Sequence, residues 1–232
     1  MSVFRSIVFS AALAGLVVGG VVTLVQHLLT TPLILQAEQY ESAGAAPPAA
    51  HEHAGADHAA HEHGEAAWQP RDGLERTLYT AGANVLNTTG FALMLLAFYT
   101  LRGGRIGWRQ GLLWGLAGFA AFSLAPALGL PPQLPGAAET PLGPRQLWWV
   151  ATAAATLGGL GLVGLLRTPL AIVAGLALIA LPHLIGAPQL AEAGSSVPLA
   201  LSRQFVLAAL ATSFVSWVML GWLTGLLHAR SA

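Results

Sequence analysis

Residues 7–29 read IVFSAALAGLVVGGVVTLVQHLL, an apolar run without a charged side chain. A helix crosses the hydrocarbon core of a bilayer with about 20 consecutive apolar residues, so this run is long enough to span a membrane. Helix is the expected conformation because backbone polar groups in lipid must be satisfied within the segment. The run is too long for the core of a secretory signal peptide, so we expect an uncleaved first membrane helix.

Five more apolar runs follow, at 78–101, 111–130, 147–166, 168–187 and 205–227. The run at 168–187 is short, contains Pro182 and is flanked by Pro169 and Pro188. Over all 232 residues the chain is 55% hydrophobic and 9% charged, against about 25% charged in an ordinary soluble domain. The sequence therefore predicts an all-α, polytopic membrane helix bundle, one domain over 1–232 with about six transmembrane helices.

Several function classes are excluded at this level. The chain has no cysteine, which rules out disulfides and thiolate metal sites. The glycine spacing at 159–164 fits a dinucleotide fingerprint, but it lies inside an apolar run rather than between a strand and a helix. No P-loop, nucleophile–base pair or basic tract is present, so we expect no enzymatic activity, no tightly bound cofactor and no nucleic-acid partner.

Small residues recur at helical spacing inside the apolar runs. The pairs are Gly15 with Gly19, Gly111 with Gly115, and Gly221 with Gly225. Glycines four residues apart lie on one side of a helix and let two backbones approach closely. We predict that these pairs mark helix–helix interfaces.

Arginine positions predict the orientation. With the N-terminus inside, six arginines are cytoplasmic and four are external, which is the direction of the positive-inside rule. The internal six are Arg5, Arg102, Arg105, Arg109, Arg167 and Arg230, and the external four are Arg71, Arg76, Arg145 and Arg203. All ten acidic residues fall in external segments, giving that face a negative potential that concentrates cations. We expect both termini in the cytoplasm, residues 36–76 outside, and a multi-pass protein of the cell (inner) membrane.

The external segment contains HEHAGADHAAHEH at 51–63. Five of the eight histidines lie there, interleaved with three carboxylates: His51, His53, His58, His61 and His63. Neutral imidazole binds nickel, cobalt, zinc and copper, and carboxylates extend the range to harder ions. A solvated low-complexity linker and a pH-responsive loop are the alternatives. The composition favours metal capture and leaves the metal open.

A second group of polar residues lies where two runs approach the external side. His27 and His183 are near the outer ends of runs one and five, and an ionisable group at membrane depth is a functional candidate by default. We predict that they share one metal site, completed by Glu38 or Glu41. Pro32 should bend or break the first helix. Prolines on both sides of His183 predict non-helical backbone with free carbonyls there.

Asn84 and Asn87 are spaced three residues apart in the second run. Such amides in a membrane helix most often hydrogen-bond to a neighbouring helix. Lining of an ion path is the second interpretation.

Seven segments of the chain resemble the CbtA family, proposed cobalt transporter subunits associated with cobalamin biosynthesis. They are FRSIVF at 4–9, QH at 26–27, PLILQAEQYE at 32–41, the His-Glu-His loop, DGLERTLY at 72–79, LAPALGLPP at 124–132 and LPHLIGAPQ at 181–189. The resemblance implies cobalt import alongside CbtB, a small partner with one membrane span and a histidine-rich end. The family is usually described with five spans. A re-entrant segment at 168–187 would make five, but it would move Arg230 outside and fit the charges less well.

Three functional hypotheses follow. The first is a subunit for uptake of Co²⁺ or Ni²⁺, in which the histidine loop captures the ion and passes it to His27, His183, Glu38 and Glu41. The second is a non-transporting metal buffer, sensor or assembly subunit. The third is metal efflux, which requires collection from the cytoplasm, whereas the predicted inner face offers His228 and six arginines. That asymmetry favours import.

Overall fold

The computed structural model describes residues 3–44, 70–137, 140–189 and 197–231. The histidine-rich segment 51–63 and the side chain of Glu41 lie outside this part of the chain. Within it every regular element is helical, which confirms the all-α prediction. The helices are α1 (Val3–Leu29), α2 (Thr31–Gly44), α3 (Leu74–Arg102), α4 (Trp108–Phe119), α5 (Ala125–Gly129), α6 (Leu142–Gly161), α7 (Pro169–Ile185) and α8 (Leu199–Ser231).

Two π-helical segments continue the membrane helices. Ala120–Leu124 joins α4 to α5, and Leu162–Leu166 extends α6. In the described part of the chain, five helices are long and apolar enough to cross a membrane, and each coincides with one of the predicted runs to within one residue at the run's ends or contains it: Val3–Leu29, Leu74–Arg102, Trp108–Gly129, Leu142–Leu166 and Leu199–Arg230. The run at 168–187 forms α7, whose 17 residues are at the short end of the range that spans a bilayer. A sixth crossing by α7 stays a prediction.

The centre of the bundle is built by α1, α3 and α8, with α4 against the far side of α8 and α6 paired with α7. The predicted glycine faces lie at these interfaces. An added Cβ at Gly19 would come within 2.6 Å of the Cα of Val85 on α3. One at Gly225 would come within 2.7 Å of the carbonyl oxygen of Gly107, at the start of α4. Both are far inside van der Waals contact, so glycine is what permits these packings.

Prolines interrupt the helices at two places. Helix α1 ends at Leu29, and α2 begins at Thr31 with Pro32 in its first turn, so the predicted break is confirmed. Pro126 follows the π-helical segment Ala120–Leu124. Because proline has no N–H to donate to the carbonyl four residues earlier, the α-helical ladder lacks one hydrogen bond at this position. The Ala125 N–H instead reaches Ala120, five residues back.

The expectation of non-helical backbone around His183 was wrong for residues 181–185, which are helical, while residues 186–189 are non-helical. Helix α7 continues through Pro182 and ends at Ile185, and the chain leaves it at Gly186 with φ of 90°. The Pro182 carbonyl accepts the Gly186 N–H at 3.0 Å, as in an ordinary helix. Proline removes one hydrogen bond from a helix, and a membrane helix can absorb that loss.

Candidate functional site

A cavity of about 650 Å³ opens between α1, α3 and α8. Its walls come from the C-terminal half of α1, the start of α2, the N-terminal halves of α3 and α8, the π-helical segment Ala120–Leu124 and Trp149 of α6. All of these parts lie at the end of the bundle that carries α2, the end predicted to face outward. We call it the outer cavity. Its polar lining comprises Thr23, Gln26, His27, Thr30, Thr31, Asp72, Arg76, Thr77, Thr80, Asn84, Asn87, Thr88, Ser123, Thr212, Ser213 and Ser216.

Interhelical hydrogen bonds hold the wall between α1 and α3. The Asn84 amide nitrogen donates to the Thr23 hydroxyl at 3.0 Å and to Gln26 Oε1 at 2.7 Å. The Thr88 hydroxyl donates to the Gly15 carbonyl at 2.9 Å. The predicted interhelical role of Asn84 is therefore confirmed, and both Asn84 and Asn87 also line the cavity. Since the Asn84 N–H groups are directed at α1, its carbonyl oxygen is the part of the amide left to accept hydrogen bonds or bind a cation.

An arginine bridges two acidic residues at the mouth of the outer cavity. The Arg76 guanidinium donates to both carboxylate oxygens of Glu38, at 2.6 and 3.3 Å, and to Asp72 at 2.9 Å. The pair with Glu38 joins α2 to α3 by a two-pronged contact, the geometry that arginine favours with a carboxylate. Glu38, predicted as a metal ligand, thus has a cation as partner already.

From the sequence, Arg76 was predicted only to be one of the external arginines. Its spacing of four residues from Asp72 signalled that local ion pair. Arg76 and Glu38 are 38 residues apart in the sequence, and no local sequence pattern predicts their contact.

Three aromatic rings close the inner end of the outer cavity. The Phe91 ring centroid lies 4.7 Å from that of Trp217 and 5.6 Å from that of Phe122. Phe122 and Trp217 are stacked with centroids 5.5 Å apart. We call Phe91, Phe122 and Trp217 the aromatic barrier. Beside it the Ser123 and Ser213 hydroxyls are 2.6 Å apart, and this contact joins the π-helical segment Ala120–Leu124 to α8.

The structure does not bring His27 and His183 together. His27 is an exposed residue on the wall of the outer cavity. His183 is on α7, which packs on α6, and its ring lies edge-on to Trp148 with centroids 5.9 Å apart. Among the residues described, no three His, Asp or Glu side chains form a group that could hold a metal ion. Position along a helix says nothing about which side chains surround each imidazole, and a similar depth for the two in the membrane stays a prediction.

A second cavity, of about 560 Å³, lies at the opposite end of the same three helices. We call it the inner cavity. It is lined by the start of α1 and the ends of α3 and α8, including Ser10, Leu96, Tyr99 and His228. The Tyr99 and Thr224 hydroxyls are 3.4 Å apart, and His228 Nδ1 accepts the Ile106 N–H at 3.4 Å. His228 is thus tied to the α3–α4 loop and 8% exposed.

Comparison with known proteins identifies the family. A family model described as probable cobalt transporter subunit (CbtA) matches residues 4–229. The chain belongs to the CbtA family. No curated protein and no solved structure matches it. Membership, together with the five helices among the described residues that are able to span a bilayer, makes this a multi-pass membrane protein of a family of probable cobalt transporter subunits.

Proposed function

We propose that this CbtA-family chain is a membrane subunit of an uptake system that moves Co²⁺, or the chemically similar Ni²⁺, into the cell for cobalamin biosynthesis. The outer cavity is the observation that carries the proposal. It is polar, lies between packed membrane helices, and opens at the end where Glu38 and Asp72 are found. Polar groups at membrane depth belong to substrate or ion pathways by default.

The cavity has the size and chemistry for a hydrated cation. A first shell of about six waters, at about 30 Å³ each, occupies roughly 180 Å³, and the cavity holds about 650 Å³. Its walls carry amide and hydroxyl oxygens and the His27 imidazole. Such groups hydrogen-bond the water shell or replace single waters without holding the ion permanently, and permeation requires that balance of binding and release. His27 is the candidate ligand inside this cavity.

The histidine-rich segment 51–63 supplies capture in this scheme. Its imidazoles and carboxylates bind the ion from dilute solution, and Glu38 and Glu41 receive it. Glu38 can bind the metal only if it releases Arg76, because both of its carboxylate oxygens accept hydrogen bonds from that guanidinium. His183, on the α6–α7 side, is a separate secondary site. Since imidazole must be neutral to bind a metal, uptake should weaken as the pH falls and histidine becomes protonated.

Inward movement can be driven by the membrane potential. A divalent cation gains about 4.6 kcal/mol per 100 mV, twice the value for one charge. A small single-span partner resembling CbtB completes the transporter, in keeping with the description of the family as subunits.

The test is accumulation of ⁵⁷Co²⁺ in a host without its own cobalt uptake, expressing the chain with and without the partner. Uptake predicts a higher initial rate than in cells with an empty vector, and competition by Ni²⁺. A lower cobalt content would establish efflux instead. An unchanged content at confirmed membrane abundance would favour the non-transporting metal-binding or assembly subunit. A host that depends on cobalt for cobalamin tests the pathway, because growth at low cobalt should then require the chain.

A further inference from the structure

We propose that the outer and inner cavities are the two halves of one ion path, and that the aromatic barrier is the closed gate between them. The proposal rests on the proposed function only in naming Co²⁺ as the ion that passes. The position of the path and the identity of the gate come from the packing of α1, α3 and α8.

The same three helices line both cavities. On α3 the outer cavity extends inward to Phe91, and the inner cavity extends outward to Leu96. Five residues of helix at 1.5 Å each separate these points, a distance of about 7.5 Å. On α1 the gap runs from Val22 to Ser10 and is about 18 Å by the same rise. The closed section therefore takes up about a quarter to three fifths of a hydrocarbon core about 30 Å thick.

The outer part of the closed section is apolar, and the paired hydroxyls of Tyr99 and Thr224 lie nearer the inner cavity. The three aromatic rings contact each other on its outer side, and behind them Val18, Leu95 and Leu220 are 0%, 6% and 1% exposed. A hydrated divalent ion cannot enter such a region, because it would lose water without gaining any ligand. Hydrophobic constrictions of this kind gate channels by excluding water. The barrier is thin along α3, and its opening would connect two cavities that already contain polar side chains.

The gate has an element that can move. Phe122 lies in the π-helical segment Ala120–Leu124, which holds one residue more per turn than an α-helix. Conversion of this turn to α-helix rotates the residues on one side of it relative to those on the other. Phe122 would then swing away from Trp217, and Ser123 would leave its 2.6 Å contact with Ser213. Single π-helical turns in α-helices are frequent at functional sites.

Thiol accessibility tests the gate without any cobalt movement, so its outcome is independent of the uptake proposal. The chain has no native cysteine. Ser216→Cys reports on the outer cavity and Ser10→Cys on the inner cavity, and both changes replace a hydroxyl by a thiol of similar size. A charged, membrane-impermeant thiol reagent applied from one side should modify one reporter only. Which reporter it reaches gives the orientation of the chain.

Truncation of the barrier should let that reagent reach the second reporter. In the Phe122→Ala and Phe91→Ala backgrounds we expect its modification to be about tenfold faster, the change that a barrier lower by about 1.4 kcal/mol produces. Phe214→Ala is the matched control, because Phe214 packs on Phe119, is 44% exposed and lines neither cavity. If an alanine variant fails to reach the membrane, Phe122→Leu removes the ring with a smaller loss of volume.

Two results would overturn the proposal. One is modification of both reporters from the same side in the chain with an intact barrier. The other is a rate in every barrier variant, Phe122→Leu included, no higher than in the Phe214→Ala control.

Discussion

Glycines of both helices form the contact between α4 and α8. Substitution of Gly221 by alanine tests how closely the two backbones pack. An added Cβ there would lie 2.7 Å from the Cα of Gly115 and 2.8 Å from its nitrogen. Carbon atoms in favourable contact are about 3.5–4.0 Å apart, so the helices must separate by about 1 Å. The neighbours are backbone atoms and cannot move aside by changing rotamer. Gly221→Ala should therefore displace α8 as a whole.

The magnitude follows from two opposing effects. Alanine in place of glycine in a helix stabilises by about 1 kcal/mol through propensity. Overpacking in a close-packed interior destabilises by about 1–3 kcal/mol, and rigid backbone neighbours set the value near the upper limit. We expect a net destabilisation of about 2 kcal/mol. Gly20→Ala is the matched control, because nothing lies within 4 Å of the added Cβ, and only the gain from propensity should appear.

The assay is the thermal unfolding midpoint of the two purified variants in the same detergent. A difference of about 3 kcal/mol corresponds to a midpoint about 6–12 °C lower for Gly221→Ala than for Gly20→Ala, from the scaling for a chain of this size. Since Trp217 precedes Gly221 by one helical turn, the barrier should loosen in the same variant. Equal midpoints for the two variants would refute the close α4–α8 packing.

Further predictions concern topology, metal capture and the cavity wall. A cysteine at Ala56 should be labelled from outside without permeabilising the membrane, and labelling only after permeabilisation would reverse the orientation. Replacing all five histidines of segment 51–63 by alanine should raise the half-saturating cobalt concentration with little change in maximal uptake, because flexible ligands give a weak, redundant site; complete loss at saturating cobalt would put the segment in the ion path. His27→Ala should slow initial ⁵⁷Co²⁺ uptake more than His183→Ala does. The rate of the double variant should be reduced by the product of the two single factors, since the free-energy effects of residues far apart add. A double variant no slower than the slower single variant would instead support a shared site. Asn84→Ala should destabilise the bundle by about 1 kcal/mol, from two interhelical hydrogen bonds of about 0.6 kcal/mol each, and a midpoint equal to that of the unsubstituted chain would contradict that role.

Much of the fold could be predicted from short-range pattern. Uninterrupted apolar runs predicted the five long helices because a helix in lipid must satisfy its own backbone, whatever its neighbours are. Glycine spacing predicted the close interfaces, since residues four apart share one face of a helix. The prediction of non-helical backbone at Pro182 was wrong because the cost of the hydrogen bond that proline removes depends on the packing around the helix. Inside a helix bundle that loss can be tolerated.

The candidate site was predicted only in part. Asn84 and His27 were identified from their polarity inside apolar runs, and both line the outer cavity. The aromatic barrier was missed because phenylalanine and tryptophan in a membrane helix look the same whether they face lipid or a cavity. The π-helical segment had one signal, Pro126, which was not used. The partnership of Glu38 with Arg76 depends on where α2, which packs against α1 and α8, places the Glu38 carboxylate.

The sequence by itself determined the class of protein, the presence of the five long apolar helices and the family, because these depend on composition and on residues close together along the chain. Only the tertiary structure decided which polar residues face one another. It separated His27 from His183, joined Glu38 to Arg76, and set Phe91, Phe122 and Trp217 between two cavities. The physical reason is that a local sequence pattern places residues on a face of a helix but does not say which neighbouring helix that face contacts. The packing of the helices decides that contact.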